Sequence, residues 1–288
     1  MNLTKLNLTR HFVILGFALP LLTGCGSLPF LQAATPNNTI EETRSQDSNF
    51  TYNEYAEVLK THVSQDGFVD YKGLQLNRQK LDRFNQSFAL VSQETFDSWN
   101  DKEQIAFWIN AYNAFTLQSI IDQNPLKGSI RDILGVWKVR RFKIVEDSKT
   151  LDNIEHQTLR PNYNEPRIHA AINCAAISCP ILNNEPYTGE KLEEQLEEQT
   201  QRWINSPHGI QIDRENNKVA ISAIFDWFGS DWEKDFAVEE GKFTGNGKQR
   251  ATLNFISQYV SDGDREYLEA GEYDIRYLDY DWNLNIQK

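Results

Sequence analysis

The sequence lacks the features that mark several common classes of protein. Its 288 residues include three cysteines, too few for a miniprotein built on a disulfide framework. It has no glycine-rich phosphate loop, no His-Glu-x-x-His pair and no Gly-x-Ser-x-Gly turn. It also has no internal repeat at a fixed period and no low-complexity block. The sequence therefore gives no motif evidence for a phosphate-loop nucleotide-binding protein, a His-Glu-x-x-His zinc peptidase or a hydrolase with a Gly-x-Ser-x-Gly serine nucleophile.

Positive charge is also scarce. Lys and Arg total 29 against 41 Asp and Glu, which gives a formal net charge of −12 at pH 7. Because nucleic acids are bound through clustered Lys and Arg, this balance argues against nucleic acid as a partner. With 40% hydrophobic and 24% charged residues, the composition is typical of a globular protein with a substantial core.

The apolar run near the start of the chain is too short for a comfortable membrane span. Residues 1–24 contain Lys5 and Arg10 but no acid, and an apolar run extends from Phe12 to Leu22. A span needs about 20 apolar residues, whereas a basic segment before a shorter run is typical of a signal peptide. The run ends in Leu-Thr-Gly-Cys25, which resembles a bacterial lipobox. We therefore predict a lipoprotein signal peptide over residues 1–24 and lipidation of Cys25. The alternative is an ordinary signal peptide cut nearby.

Lipidation of Cys25 would determine where the protein resides. Acyl chains such as palmitate on Cys25 would hold the chain at a bilayer by burying CH₂ groups. Residues 25–49 show no sustained hydrophobic period and predict a flexible tether. We therefore expect a lipid-anchored protein of the bacterial cell envelope, on its periplasmic or surface side, with one globular domain over residues 50–288.

Hydrophobic periodicity predicts an α+β domain, with helices packed on a small, mostly antiparallel sheet. The best-marked helix begins at Asn100, where Glu103 completes a capping box, and stops at Asn124-Pro125. Apolar residues surround it, so we expect it at the centre of the core. Asn110 and Asn113 share one of its faces and would order polar groups there. Further helices are predicted at 53–60, 74–90, 151–160, 188–205 and 248–260, and strands at 68–71, 137–144, 209–221 (a hairpin) and 273–284.

The stretch from His169 to Pro180 carries the densest chemistry, because it combines a histidine, two cysteines, a serine and an asparagine with small residues. A thiol is nucleophilic only as a thiolate, which needs a nearby imidazole, a cation or a helix N-terminus. Cys174 lies at a predicted change from extended chain to turn or helix. His169 is five residues away, so the two side chains can meet only across a bend. His156 is free of that constraint, and Glu155 or Asn110 could orient its ring.

Three other interpretations of these cysteines stay open. Cys174 and Cys179 could form a small-loop disulfide, because the cell envelope is oxidising. With His169 or His156 they could bind a metal, although Cys-x4-Cys with one histidine is a weak zinc signature. They could also be buried apolar side chains. We expect no cofactor and no metal ion.

Two further clusters have plainer explanations. Lys138, Arg140, Arg141 and Lys143 are interpreted as a solvated strand face rather than an anion site. The stretch from Phe225 to Phe236 places acids among aromatics, which can hold a sugar or a peptide. Core aromatics, with the acids as caps and turn formers, are the favoured interpretation.

Several of these blocks resemble a known family, the domain-of-unknown-function family 547. The matching stretches are Val69–Leu74, Ala106–Ala114, Ile154–His156 with Leu159-Arg160, Arg167–Cys174 with Ser178-Cys179-Pro180, Ala223–Phe228 with Asp235-Phe236, and Tyr277–Asn285. The resemblance implies a likeness to papain-like and transglutaminase-like cysteine enzymes. It makes Cys174, His169, His156, Glu155, Asn110 and Asn113 the candidate catalytic residues. In those enzymes the nucleophile usually opens a central helix, whereas the central helix here contains no cysteine.

Two functions are therefore expected. The first is a membrane-tethered cysteine hydrolase or acyl-transferase acting on a peptide or amide bond. Cys174 would attack, His156 or His169 would act as base and then acid, and backbone N–H groups near Cys174 would hold the oxyanion. The alternative is a non-catalytic envelope lipoprotein that binds a peptide or glycan and carries a structural Cys174–Cys179 disulfide.

Overall fold

The computed structural model describes residues 50–287. The predicted signal peptide (1–24), the lipidation site Cys25 and the tether (25–49) lie outside the described residues. Among residues 50–287, none of the helices combines the length and the apolar character needed to cross a membrane.

The fold is mainly helical. In chain order the α-helices are α1 (Asn53–His62), α2 (Tyr71–Leu76), α3 (Gln79–Ser87), α4 (Gln93–Asp97), α5 (Asp101–Ile121), α6 (Leu151–Ile154), α7 (Arg160–Asn162), α8 (Ile168–Ala171), α9 (Leu192–Ile204), α10 (Ala223–Phe228), α11 (Glu233–Phe236), α12 (Gly247–Ile256) and α13 (Asp262–Ala270). A π-helical turn, Glu155–Leu159, connects α6 to α7.

Helix α5 is the centre of the core, as predicted. Its N-terminus is fixed by the expected capping box, in which the Glu103 N–H donates to Asn100 and the Asn100 N–H donates to Glu103. Every residue from Ile105 to Ile121 is buried. The helix is surrounded by aromatic rings, including Phe84 and Phe88. A second cluster of buried residues involves α9, α10 and α12 and includes the fully buried Trp232.

The strands form two small sheets. β1 (Phe142–Ile144) pairs antiparallel with β2 (Asp147–Lys149). β3 (Ile210–Asp213) and β4 (Lys218–Ile221) form the predicted hairpin, with Ile210 opposite Ile221. β5 (Asp274–Tyr277) joins β4 in parallel, because the chain passes through α10 to α13 before it returns. The predicted α+β class and single domain are confirmed. The strands are divided between two sheets, and one of the three pairings is parallel.

Some predicted elements are shorter than expected because polar caps and turns interrupt them. In the predicted strand 68–71, Val69 makes only isolated bridges, and Asp70 caps α2 by accepting from the Gly73 N–H at 2.8 Å. The predicted strand 137–144 is extended only over β1. The N–H groups of Val139 and Arg140 both donate to the Gly135 carbonyl, which makes a turn there. The predicted helix 74–90 is divided into α2 and α3.

The C-terminal segment, residues 278–287, connects distant parts of the chain. Single bridges pair Asn283 with Ser129, Leu284 with Ala176, and Ile286 with Val69. The Ile177 N–H donates to the Asn283 carbonyl at 2.9 Å, and the Asp281 N–H donates to the Ser178 hydroxyl at 2.8 Å. The segment therefore holds the turn between the two cysteines.

Candidate functional site

Four of the six predicted catalytic residues line one cavity of about 370 Å³. They are Cys174, His169, His156 and Glu155. The remaining lining residues are mostly aromatic or apolar, with one lysine and one further acid: Tyr112, Trp137, Lys138, Asp152, Ile172, Cys179, Ile224, Trp227, Phe228, Tyr280 and Trp282. Asn110 and Asn113 are buried in α5 and are not among the lining residues.

The two asparagines of α5 have well-defined structural partners. The Asn110 side-chain amide donates to the Tyr187 carbonyl at 2.7 Å and accepts from the Tyr187 N–H at 3.0 Å. The Asn113 amide donates to the Ala171 carbonyl at 2.9 Å and accepts from the Asn173 N–H at 2.7 Å. Each amide therefore replaces a pair of backbone hydrogen bonds, and Asn113 fixes the chain that leads into Cys174.

The bend required between His169 and Cys174 is present. Helix α8 contains His169 and ends at Ala171, after which Ile172 is extended and Ala175 adopts a positive φ of 61°. The Asn173 side chain stabilises the bend by accepting from the Ala175 N–H at 2.8 Å and donating to the Pro180 carbonyl at 2.7 Å. Cys174 is followed by a turn rather than by a helix, so no helix N-terminus supports its thiolate.

The sulfur of Cys174 has two close partners. It lies 3.2 Å from the sulfur of Cys179 and 3.2 Å from the hydroxyl oxygen of Tyr280. Both cysteines are free, Cys179 is buried, and Cys174 is partly accessible. The hydrogen bond from Cys179 lowers the pKa of the Cys174 thiol, burial opposes the shift, and Tyr280 adds to it. Burial raises the pKa of Tyr280 well above its usual range, so its hydroxyl stays a donor.

His169 is held in a fixed orientation. Its ring stacks on Phe228, with the centroids 4.7 Å apart, and contacts Trp232. Its Nε2 lies 2.8 Å from Oδ2 of Asp231, so Nε2 carries a proton and donates it. Burial lowers the pKa of His169, partly offset by Asp231, which favours the neutral ring with an unprotonated Nδ1. Among the described residues, Nδ1 has no hydrogen-bond partner.

Asp231 is the centre of a charged network. Arg160 donates to both of its carboxylate oxygens, at 2.6 and 2.9 Å. Burial opposes ionisation, but the hydrogen bonds from Arg160 and His169 hold the pKa of Asp231 well below its usual range. Arg160 also lies 3.0 Å from Nδ1 of His156, which must act as the acceptor. The network therefore links both candidate histidines through one arginine and one carboxylate.

Glu155 does not orient His156 by a hydrogen bond, because its carboxylate oxygen is 3.9 Å from Nδ1 of His156. Burial raises the pKa of Glu155, while His156 and Tyr112 oppose the shift. The residue opens the π-helical turn, a feature common at functional sites. It contributes to the cavity wall as a carboxyl group that is easier to protonate than usual.

Sequence reasoning missed three residues of this site. Asp231 belongs to the stretch of acids and aromatics that was interpreted as core, and Arg160 was assigned only to a helix end. Tyr280 was placed in a predicted terminal strand. The only sequence signal for Asp231 was an acid flanked by aromatics, since its partner His169 lies 62 residues away. No group of three or more metal-binding side chains is found within residues 50–287.

Comparison with known proteins gives one match. No curated protein and no solved structure matches the chain. Residues 96–204, which contain α5, the π-helical turn, both cysteines of the cavity and α9, match the family described as Protein of unknown function, DUF547. The expected resemblance to the DUF547 family is thus supported for the segment that supplies Cys174, His169, His156 and Glu155.

Proposed function

We propose that the protein is a cysteine-dependent hydrolase or acyl-transferase that acts on a peptide or amide bond. The main supporting observation is the shared cavity. It contains a partly accessible thiol with a lowered pKa and a buried imidazole whose second nitrogen is fixed by a carboxylate. Nucleophile, base and orienting group are the three parts that such catalysis requires.

In this proposal His169 is the base and Cys174 the nucleophile. The thiol proton passes to Nδ1 of His169, and the sulfur attacks the carbonyl carbon of the amide. The imidazolium then gives the proton to the leaving amine as the C–N bond breaks, which leaves a thioester on Cys174. Attack by water completes hydrolysis, and attack by a second amine completes transfer. Asp231 keeps Nδ1 of His169 unprotonated and stabilises the imidazolium.

Tyr280 is the proposed donor to the oxyanion. Two of the expected backbone donors are occupied, because the Cys174 N–H points to the Cys179 sulfur at 3.0 Å and the Ala175 N–H is bound by Asn173. The Tyr280 hydroxyl lies beside the attacking sulfur, and its raised pKa keeps it protonated. A neutral donor in a partly desolvated cavity suits the charge that develops on the carbonyl oxygen.

The proposed location follows from the sequence. Lipidation of Cys25 would anchor the domain to a bilayer of the bacterial envelope, and residues 25–49 would allow it to reach substrates near that surface. The membrane and a peptide or glycan are the proposed partners, and nucleic acid is not. A relation to papain-like or transglutaminase-like enzymes is also part of the proposal. In those enzymes the nucleophile usually opens a central helix, whereas Cys174 is followed by a turn.

A binding module is the second candidate, and the aromatic wall supports it. Trp227 is 45% exposed, and its ring stacks on Trp282 with a centroid distance of 5.8 Å. Exposed aromatic faces of this kind hold sugar rings or apolar peptide side chains. In this alternative Cys174 and Cys179 would be structural.

An activated ester can distinguish the two candidates. The reduced full chain is incubated with p-nitrophenyl acetate and digested with trypsin, which releases residues 168–191 as one fragment containing both cysteines but not Cys25. For an enzyme we expect rapid acylation of Cys174 in that fragment, with loss in Cys174→Ser and strong slowing in His169→Asn. Equal slow acylation in all three chains would reject the proposal and favour the binding module.

A further inference from the structure

The two cysteines are arranged for chemistry with each other as well as with a substrate. Their sulfurs are 3.2 Å apart, and the Cys174 N–H donates to the Cys179 sulfur at 3.0 Å. The intervening turn is closed by the Cys179 N–H, which donates to the Ala176 carbonyl at 3.1 Å. A disulfide needs a sulfur separation of about 2.05 Å. The two sulfurs would therefore have to move about 1 Å closer to form the bond.

The two cysteines differ in exposure. Both line the cavity, but Cys174 is partly accessible, whereas Cys179 is buried with an exposed fraction of 6%. Burial raises the pKa of Cys179 well above its usual range, while the pKa of Cys174 is lowered. A partly accessible cysteine with a lowered pKa, next to a buried cysteine with a raised pKa, matches the arrangement of an attacking and a resolving cysteine.

We propose that Cys174 and Cys179 form an oxidation site for a hydroperoxide and close to an intramolecular disulfide. The Cys174 thiolate attacks the distal peroxide oxygen, the O–O bond breaks, and the alkoxide or hydroxide leaves with the electron pair. Cys174 is then a sulfenic acid. The Cys179 sulfur attacks the Cys174 sulfur, the S–O bond breaks, and the hydroxyl group leaves as water with the Cys179 proton. The two cysteines lose two electrons in total, and the peroxide gains them.

The groups around Cys174 and Cys179 favour these oxidation steps. The Tyr280 hydroxyl, 3.2 Å from the Cys174 sulfur, can donate to the departing oxygen. Apolar and aromatic walls around the cavity admit a small or alkyl hydroperoxide. When a dithiol reduces the disulfide at Cys174, the Cys179 sulfur leaves as a thiolate that the Cys174 N–H stabilises.

The oxidation also bears on the acyl-transfer reaction, and this part rests on the proposed function. A disulfide engages the Cys174 sulfur in a covalent bond, so acylation stops until a thiol reduces it. Oxidation of Cys174 and Cys179 by hydroperoxide would then inactivate the enzyme reversibly.

The test uses the reduced full chain and hydrogen peroxide. After treatment at neutral pH, remaining thiols are blocked with iodoacetamide, and the mass of the tryptic fragment 168–191 is measured by mass spectrometry. The expected result is a fragment that loses two hydrogen atoms and takes up no alkyl group, and that regains two alkylatable thiols after dithiothreitol. A fragment alkylated at both cysteines after peroxide would overturn the proposal.

Two variants assign the roles of the sulfurs. Cys179→Ser should accumulate a sulfenic acid that dimedone traps on Cys174, whereas the native chain should show little trapping. Cys174→Ser should leave the Cys179 thiol unoxidised. Equal dimedone trapping in the native chain and in Cys179→Ser would refute the resolving role. Far-ultraviolet circular dichroism confirms that each variant is folded, and p-nitrophenyl acetate acylation of the reduced chain tests the proposed function independently of disulfide closure.

Discussion

Nε2 of His169 lies 2.8 Å from Oδ2 of Asp231, and this contact joins two segments separated by 62 residues. His169 lies within the part of the chain that matches the family, and Asp231 lies beyond it. The Asp231 carboxylate fixes which ring nitrogen of His169 carries the proton, so the imidazole that lines the cavity has a defined tautomer. Together with Arg160, Asp231 holds in place the imidazole that lines the same cavity as Cys174.

Replacing Asp231 with Asn should impair acyl transfer more than folding. The amide no longer stabilises the imidazolium or fixes the tautomer, so acylation by p-nitrophenyl acetate should slow by roughly 10²-fold or more. Loss of the charge-assisted bonds to Arg160 should also cost about 2 kcal/mol in a urea titration. Asp226→Asn is a matched control, because Asp226 is exposed in the same stretch. Equal rates in both variants would refute the role of Asp231.

The pH dependence of Cys174 alkylation should reveal how Cys179 and Tyr280 affect the pKa of its thiol. Because the Cys179 hydrogen bond lowers the pKa of Cys174, alkylation by iodoacetamide should have its midpoint at a lower pH than for an unperturbed cysteine thiol. Cys179→Ala should move that midpoint upward, and Tyr280→Phe should move it in the same direction. Cys179→Ser keeps a donor and should retain more of the shift than Cys179→Ala. Unchanged midpoints in all variants would contradict the assigned causes.

The two asparagines of α5 should have separable effects. Asn110→Ala leaves the Tyr187 N–H and carbonyl without their partner, and each buried polar group costs about 1–3 kcal/mol. Thermal unfolding should show this loss, while the alkylation rate of Cys174 in the folded variant should be unchanged. Asn113→Ala should alter both, because Asn113 holds Ala171 and Asn173. A large effect of Asn110→Ala on alkylation would instead connect Asn110 to the chemistry.

Replacing Glu155 with Gln should stabilise the protein near neutral pH. Burial raises the folded-state pKa of Glu155. The stability contributed by the protonated form is therefore complete below the unfolded value of about 4.3 and is lost as pH rises through the folded value. Gln cannot ionise, so the free energy of unfolding of the variant should exceed that of the native chain by an amount that grows as pH rises between these two pKa values. The difference should vanish at about pH 4 in urea titrations. A constant difference at all pH values would show that ionisation of Glu155 is not its cause.

Features of the fold that depend on nearby residues were predictable from the sequence. The capping box of Asn100 and Glu103 and the apolar surface of α5 are determined by residues three and four positions apart, and the structure contains both. The same is true of the β3–β4 hairpin. The predicted strand at 68–71 was wrong beyond Val69, because the side chain of Asp70 prefers to cap a helix.

Features of the site that depend on tertiary contacts were only partly predictable. The cluster of Cys174, His169, His156 and Glu155 was predicted from residue types and from family resemblance, and the structure places all four around one cavity. Asp231 and Tyr280 were missed because their partners lie 62 and 106 residues away in the sequence. Neither hydrophobic period nor local spacing carries information about such contacts.

The C-terminal segment has a consequence for biosynthesis. Tyr280 and Trp282 form part of the cavity wall, and residues 281–285 hydrogen-bond to the chain between Ala175 and Ser178. A nascent chain that has emerged only as far as α13 therefore carries both cysteines without the hydroxyl beside Cys174 or the backbone partners of their turn. The ribosome must finish this segment before the cavity is complete, so a chain shortened to end after α13 should be poorly folded around Cys174.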